Sequence, residues 1–271
     1  MNNLFNLAYT GIIATHPLEK VRLTQTIAQA WQSGQLNLEP AIPIKSILVP
    51  GHPPNLRLVP PREVPRRNFL TTEGQAALLH ALTHIEFNAI NLAWDAVYRF
   101  RDLPTDFYDD WVKVAQEEAY HFELLQQQLQ QLGYQYGDFT AHNGLWEMAI
   151  KTAHTLLERM ALVPRFLEAR GLDATPTLIT KLQSLKLTHL VEILQIILRD
   201  EIGHVAIGSR WFNFCCQARG LDPEFTFRQL IIRYLKGRVK LPFNIEARLA
   251  AGFTQPELNQ LAKLAAANSN E

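Results

Sequence analysis

The sequence is poor in cysteine, and its two cysteines, Cys215 and Cys216, are adjacent. Adjacent cysteines can form neither a disulfide framework nor the paired CxxC knuckles of a rubredoxin-like or zinc module. A chain that does not depend on disulfides suits a reducing compartment, so we expect a cytoplasmic protein. The first ten residues also lack a basic segment ahead of their apolar run, which argues against a signal peptide.

The sequence also has no formal net charge, no long apolar run and little glycine. Lys and Arg number 26, and so do Asp and Glu, so no overall field draws the protein to nucleic acid or anionic lipid. No run of about 18 uncharged apolar residues is present, so we expect no membrane span. With only 13 glycines and long stretches rich in Ala, Leu, Gln and Glu, the sequence favours helices over strands.

Proline is concentrated in one segment, since eight of the 15 prolines fall between residues 40 and 65. Prolines at this density break any regular element. We predict an extended arm laid over the body of the protein, because apolar side chains such as Ile44, Ile47 and Leu48 need burial. A helix over residues 17–32 and this arm form the first predicted domain, residues 1–68.

Four long amphipathic segments follow the arm. We predict helices over about 71–101, 105–132, 145–170 and 188–218. The third helix is expected to stop at Gly171, with a short helix near 177–186 after Pro176. Two short turns and one longer crossover, residues 134–144, then give an all-α antiparallel four-helix bundle over residues 69–220. Residues 221–271 form a C-terminal helical extension, with helices near 223–236, 243–251 and 256–267.

The second and fourth predicted helices each contain a Glu followed three residues later by a His. These are Glu118 with His121, and Glu201 with His204. Residues three apart lie on one face of a helix, about one turn from each other. Two such helices, with one further Glu from each of the two others, supply the ligands of di-iron and di-manganese carboxylate bundles.

The two further glutamates are expected one helical hairpin before each pair. The interval from Glu86 to Glu118 is only one residue shorter than the interval from Glu168 to Glu201, as two similar hairpins require. Glu158 is a rival ligand on the third helix. It lies almost three helical turns before Glu168, so its interval to Glu201 is much longer, and we rank it second.

Any one of these glutamates, taken alone, is more often a solvated helix residue. Their neighbours are apolar, however, and ionised carboxylates among apolar groups are costly without a cation. Glu117 and Asp200, directly before Glu118 and Glu201, have two open interpretations. They could accept the second N–H of the metal-binding imidazoles, or they could be plain surface acids.

Six strings of the sequence, which include these residues, resemble a known family. They are His84-Ile-Glu86-Phe-Asn-Ala-Ile90, Glu117-Glu-Ala-Tyr-His-Phe122, Trp146-Glu-Met-Ala149, Leu162-Val-Pro-Arg165, Glu168-Ala-Arg-Gly-Leu-Asp173 and Arg199-Asp-Glu-Ile-Gly-His-Val-Ala206. They resemble a bacterial ferritin-like family of unassigned function, domain of unknown function number 455, over about residues 40–255. The resemblance implies a ferritin-like bundle and favours Glu168 over Glu158. The Glu-Ala-Arg string and the layout are more loosely similar to the tRNA hydroxylase of the same superfamily.

Two metal ions held by four carboxylates and two imidazoles, with open positions between them, suit the activation of O2 or peroxide. The sequence therefore predicts a carboxylate-bridged di-iron oxygenase or oxidase that acts on a small organic substrate. Its cofactor would be two iron ions, although a Mn/Fe pair takes the same ligands. Without a rubredoxin-like module, electrons would come from a separate donor. A homodimer is compatible with this prediction.

Two other functions stay open at this point. The first is metal handling, as in ferritin or rubrerythrin, although the bulky additions at both ends of the bundle argue against a storage shell. The second is tRNA modification, because residues 228–240 carry five basic side chains and no acid, and Arg62, Arg66 and Arg67 add another basic cluster. Such runs are usually one solvated helix face, so we do not expect nucleic acid as a partner.

Overall fold

The computed structural model describes residues 2–39, 43–64 and 68–268. Within them the protein is all-α, as predicted, apart from a two-residue parallel pairing of β1 (Asn2–Asn3) with β2 (Leu36–Asn37) and an isolated bridge in the arm. None of the described helices combines the length and the apolar character that a membrane crossing needs. Parts of the predicted arm and of its basic cluster lie outside the described residues, namely Pro40, Pro65, Arg66 and Arg67.

The chain divides into two compact units, Met1–Ile150 and Lys151–Glu271. The division at residues 68 and 220, which the Pro-rich arm and the four long helical segments predict, stays a prediction. The helices that begin in the first unit are α1 (Leu4–Ile13), α2 (Pro17–Gln32), α3 (Thr72–Arg99), α4 (Thr105–Gln131) and α5 (Gly144–Lys151), with a 3-10 turn at Pro61–Glu63.

Helices α3 and α4 form an antiparallel hairpin at the centre of the first unit, with α1 packed on α3 and α2 packed on α4. The Thr71 hydroxyl caps the start of α3 by accepting the N–H of Gly74 at 3.1 Å. Asp102, at φ 60°, reverses the chain between the two helices. Gly133, at φ 83°, adopts the left-handed conformation that terminates α4.

A buried lysine joins α1, α2 and α3. The Lys20 ammonium donates to the carbonyls of Gly11 and Ile12, at 2.7 and 2.8 Å, and to Oδ1 of Asn91 at 2.6 Å. The two carbonyls belong to the last turn of α1, where no helical partner remains for them. Desolvation lowers the pKa of Lys20 well below its usual value, so these three acceptors are what make its burial tolerable.

The described part of the arm is only partly buried. Ile47 and Leu56 are buried, and the indole N–H of Trp146 donates to the carbonyl of Ile47 at 3.1 Å. The prediction that all its apolar side chains need burial is wrong for three of them, because Ile44, Leu48 and Val49 are exposed.

The second unit continues the chain as a run of helices. They are α6 (Leu156–Leu162), a π-helical segment (Val163–Glu168), α7 (Ala169–Ser184), α8 (Thr188–Ala218), α9 (Pro223–Leu235), α10 (Ile245–Ala250) and α11 (Gln255–Asn268). Helices α7 and α8 pack together as a hairpin. Lys186, at φ 58°, lies in the turn between them.

The structure corrects the predicted third helix in two places. Residues 152–155 interrupt it, and there the buried Arg159 donates to the hydroxyl of Thr152 at 2.9 Å. Farther along, the helix does not stop at Gly171 but runs through it, with Pro176 inside α7. A proline in a helix leaves the carbonyl four residues earlier without its donor. Here that carbonyl belongs to Leu172, and the side-chain amide of Asn244 donates to it at 3.2 Å.

Candidate metal centre

The hairpin of α3 and α4 brings Glu86 and Glu118 to the same level. The interval from Glu86 to the end of α3 at Arg99 equals the interval from the start of α4 at Thr105 to Glu118. Each residue advances a helix by about 1.5 Å, so the two side chains are equally far from the turn. His121 follows Glu118 by three residues and therefore shares its face of α4.

These three side chains form one buried cluster. Nδ1 of His121 lies 3.4 Å from Oε2 of Glu86 and 3.5 Å from Oε2 of Glu118. One ligand atom from each residue lies within 4.8 Å of those of the other two. Glu86, Glu118 and His121 are 3%, 1% and 0% exposed.

Burial and proximity change the protonation of the cluster. Desolvation, together with the neighbouring Glu118 carboxylate, raises the pKa of Glu86 well above its ordinary value. Desolvation also acts to lower the pKa of His121, but hydrogen bonds to Glu118 and Glu86 outweigh it and raise the pKa to about 11. The cluster is therefore built to share protons or to hold a cation in their place.

The chemistry of the donors fits a transition-metal ion. Two carboxylates and one imidazole suit iron, manganese or zinc, and the imidazole presents Nδ1 to the carboxylates. The flanking Phe87 and Phe122 are fully buried, with their ring centroids 5.3 Å apart. Two carboxylates in such apolar surroundings would repel each other, and a bound divalent cation would offset that cost.

The second unit carries the other Glu and His pair on α8. His204 is buried, and its Nδ1 lies 3.9 Å from Oε1 of Glu201, whose side chain is 12% exposed. As in the first pair, Nδ1 is the ring nitrogen closer to the carboxylate. Glu168 is half-buried and is the last residue of the π-helical segment. The metal-binding roles of these three residues stay predictions.

Glu158, the rival third-helix ligand, is engaged by helix α9. Its Oε2 accepts a short hydrogen bond from the hydroxyl of Tyr234 and lies 3.0 Å from Nε2 of His154. Its Oε1 lies 3.5 Å from Nη1 of Arg233. These contacts give its carboxylate a structural role in the second unit, which the sequence did not indicate.

The two acids directly before the glutamates have basic neighbours on their own helices. Oε2 of Glu117 lies 2.8 Å from Nζ of Lys113, and Oδ1 of Asp200 lies 2.8 Å from Nε of Arg199. Both acids make further contacts as well. Their predicted hydrogen bonds to His121 and His204 stay predictions.

Sequence reasoning missed the role of the crossover beside the cluster. Tyr136 is buried against Phe87 and Phe122, with ring centroids 4.9 and 5.5 Å away. Its hydroxyl lies 2.8 Å from Nδ1 of His84, and Nε2 of His80 accepts the N–H of Gly137 at 2.9 Å. His80 and His84 lie one turn apart on α3, and this spacing indicated that one segment could contact both of them. The sequence did not indicate that Tyr136 and Gly137 are their partners.

The fold and the cluster define an all-helical protein with a buried carboxylate–histidine group that could hold a metal ion. The chain belongs to the family described as "Protein of unknown function (DUF455)", which it matches over residues 13–259. This confirms the family resemblance. A Haemophilus influenzae protein named "Uncharacterized protein" is 48% identical over 267 residues, covering 92% of this chain and 90% of that protein. No solved structure matches the chain significantly.

Proposed function

We propose that this protein is a ferritin-like oxidoreductase that holds two metal ions in a four-helix bundle and activates O2 or peroxide. The observation that carries the proposal is the buried cluster of Glu86, Glu118 and His121, because such a donor set is costly to bury without a cation. The proposed ligands are Glu86, Glu118, His121, Glu168, Glu201 and His204.

The second half of the ligand set rests on the repetition of the motif. Glu201 and His204 repeat the spacing of Glu118 and His121 on another long helix, and His204 is fully buried. Glu168 precedes Glu201 by nearly the separation of Glu86 from Glu118. Two equivalent half-sites are what a two-metal centre in a helical bundle requires.

Two iron ions, or one manganese and one iron ion, would supply the redox chemistry that reduces O2 or peroxide while a small organic substrate is oxidised. The side chains of the first unit prepare the site for them. Glu86 and Glu118 supply negative charge from two facing helices, and His121 offers Nδ1 once its proton has left. Phe87 and Phe122 keep water away from this face, which protects reactive species from quenching.

The test is metal analysis of protein made in iron-replete cells, together with its absorption spectrum under O2. We expect about two transition-metal ions per chain. Glu118→Ala and Glu201→Ala should each lower the metal content while helix content stays largely intact, because packing supplies most of the stability of a core this size. Helix content is read by circular dichroism.

The chain offers a matched control on α8. His189 and Glu192 are also three residues apart, with Nδ1 of His189 3.3 Å from Oε2 of Glu192, but both side chains are more than 60% exposed. His189→Ala and Glu192→Ala should leave the metal content unchanged. A loaded protein that holds a single zinc ion or no metal would overturn the proposed function.

A further inference from the structure

The first unit contains a cavity of about 290 Å³, enclosed by the residues around the start of α2, the arm, the end of α4 and the crossover. Carboxamide and hydroxyl groups dominate its polar lining, and they come from Thr15, Asn55, Gln126, Gln130, Gln135 and Tyr136. Three prolines and one leucine supply its apolar surface. A water molecule takes up about 30 Å³, so the cavity has room for an organic molecule with about ten non-hydrogen atoms.

The floor of this cavity contains a buried polar atom without a partner. Gln126 and Tyr136 are only 8% and 4% exposed, whereas Thr15, Asn55 and Gln130 are exposed and lie at the mouth. Within the described part of the chain, Oε1 of Gln126 has no hydrogen-bond partner. A buried polar atom in this state is costly, and native proteins nearly always satisfy it. A ligand in the cavity would supply the missing hydrogen bond.

The charge of the lining favours an uncharged ligand. Among the described residues that line the cavity there is no Asp, Glu, Lys or Arg, and a charged ligand is costly to take from water without a counter-charge. His16 lies at the exposed mouth, where water and salt screen any charge on its ring. The N-terminus of α2 attracts anions, but Glu19 already places a carboxylate in its first turn.

The lining groups suit a ligand rich in hydroxyls better than a flat aromatic one. A carboxamide both donates and accepts hydrogen bonds, and so does each hydroxyl of a sugar. The prolines and the leucine match the C–H groups of a sugar ring. A flat aromatic ligand would need an open ring on which to stack, but the ring of Tyr136 already contacts four other rings of the first unit.

The cavity is separate from the metal cluster. Gln126 follows Glu118 by eight residues, which is about 12 Å along α4. Phe122 lies midway between them on the helix, and its ring centroid is 5.5 Å from that of Tyr136. A ligand of this size in the cavity would not reach the carboxylates of the cluster, so the site does not depend on the proposed function.

We propose that this cavity binds a neutral monosaccharide. One hydroxyl of the sugar would donate to Oε1 of Gln126 at the floor. The carboxamides of Gln130 and Gln135 would bind other hydroxyls at the mouth. The binding is non-covalent and needs no metal ion.

The experiment measures the binding of D-glucose, D-galactose and D-ribose to the full chain by titration followed with saturation-transfer NMR. D-gluconate and nicotinamide are the charged and the flat comparison probes. At least one sugar should bind, and it should bind more tightly than either comparison probe. Gln126→Leu should weaken that binding by at least about fivefold, because the buried carboxamide is lost. Gln127→Leu, at an exposed position of α4 outside the cavity lining, is the matched control and should bind as wild type.

A second variant avoids any change in the buried floor. Gln130→Ala/Gln135→Ala alters only exposed side chains and should also weaken sugar binding by about fivefold. Its control is Gln127→Ala/Gln131→Ala, two exposed glutamines that do not line the cavity. Circular dichroism checks the helix content of every variant.

Three results would overturn the proposed sugar site. None of the sugars binds; or D-gluconate or nicotinamide binds as tightly as the best sugar; or the sugar binds both cavity variants as tightly as wild type. A chain that holds no metal but binds a sugar here would contradict the proposed function alone. A chain that holds two metals and binds no sugar would contradict the sugar site alone.

Discussion

Arg165 and Glu257 form a buried two-pronged ion pair in the second unit, although 92 residues separate them in the sequence. Nη1 lies 2.6 Å from Oε1, and Nη2 lies 2.7 Å from Oε2. The guanidinium also lies over the rings of Phe227 and Phe253, at 4.4 and 4.3 Å from their centroids. This ion pair joins helix α11 to the π-helical segment, and either charge would be costly to bury without the other.

We expect Glu257→Gln to lower the free energy of unfolding of the second unit by about 3–5 kcal/mol, because Arg165 stays buried without its counter-charge. Urea denaturation followed by circular dichroism measures the loss. The control is Glu246→Gln on α10, an exposed acid whose replacement should change stability by less than about 0.5 kcal/mol. Equal effects of the two substitutions would contradict a structural role for the buried pair.

The choice between the two third-helix glutamates is tested by metal content and by stability together. Glu168→Ala should abolish the dimetal centre, as the matched hairpin spacing requires. Glu158→Ala should leave the metals in place but destabilise the second unit by about 1–3 kcal/mol, because Tyr234 loses its acceptor. If Glu158→Ala removes the metals and Glu168→Ala does not, the ligand assignment is wrong.

A third prediction concerns acid stability. Burial lowers the pKa of His80 from 6.5 to about 4, so the unfolded chain binds a proton near pH 6.5 that the folded chain binds only near pH 4. This contribution to the free energy of unfolding is fully present above pH 6.5. It falls by about 1.4 kcal/mol per pH unit as the pH drops toward 4.

His80→Asn keeps an acceptor for the N–H of Gly137 but cannot titrate, so it should flatten the dependence of stability on pH by about one proton. His189→Asn, at an exposed position of α8, is the control and should not change the slope. An unchanged slope in His80→Asn would show that His80 is not neutral in the folded protein. Denaturation midpoints measured from pH 4 to 7 decide the matter.

The fourth prediction is that metal binding releases protons. Hydrogen bonds to Glu118 and Glu86 raise the pKa of His121 to about 11, so its ring holds a proton at neutral pH when no metal is bound. Burial raises the pKa of Glu86, which favours a further proton on the cluster. A metal ion displaces them, because its ligands must be deprotonated. We expect at least one proton to be released when metal binds to the cluster, counted by calorimetry in two buffers of different ionisation enthalpy. Glu86→Gln should release fewer protons than wild type, and Glu192→Gln should match wild type. Binding without proton release would contradict the assignment.

The elements of the first hairpin could be predicted closely, because their limits are local. Thr72, Pro104 and Gly133 are the start and stop signals of the sequence, and they lie where α3 begins, directly before α4 begins, and two residues after α4 ends. The cluster follows from the same limits, since equal distances from the turn place Glu86 level with Glu118. Helix α8 begins and ends where the sequence predicts, at Thr188 and Ala218.

The end of the third predicted helix could not be predicted in the same way, because contacts with residues distant in the sequence determine where it ends. Asn244 satisfies the carbonyl that Pro176 leaves without a donor, and it lies beyond both α8 and α9 in the sequence. Glycine costs a helix only about 1 kcal/mol, so Gly171 does not end it once packing favours continuation. The contacts of Glu158 with α9 and of His80 with Gly137 were hidden for the same reason.

The number of residues in the π-helical segment Val163–Glu168 controls the relative orientation of the side chains before and after it. A π-helical turn holds more residues than an α-helical one, so losing one residue there would restore regular α-helical spacing. The helix would remain continuous, yet Glu158 and Glu168 would turn by about 100° relative to each other around its axis. Relatives that differ by one residue in this segment are thus expected to present a different acid to the interior, even where every neighbouring residue is the same.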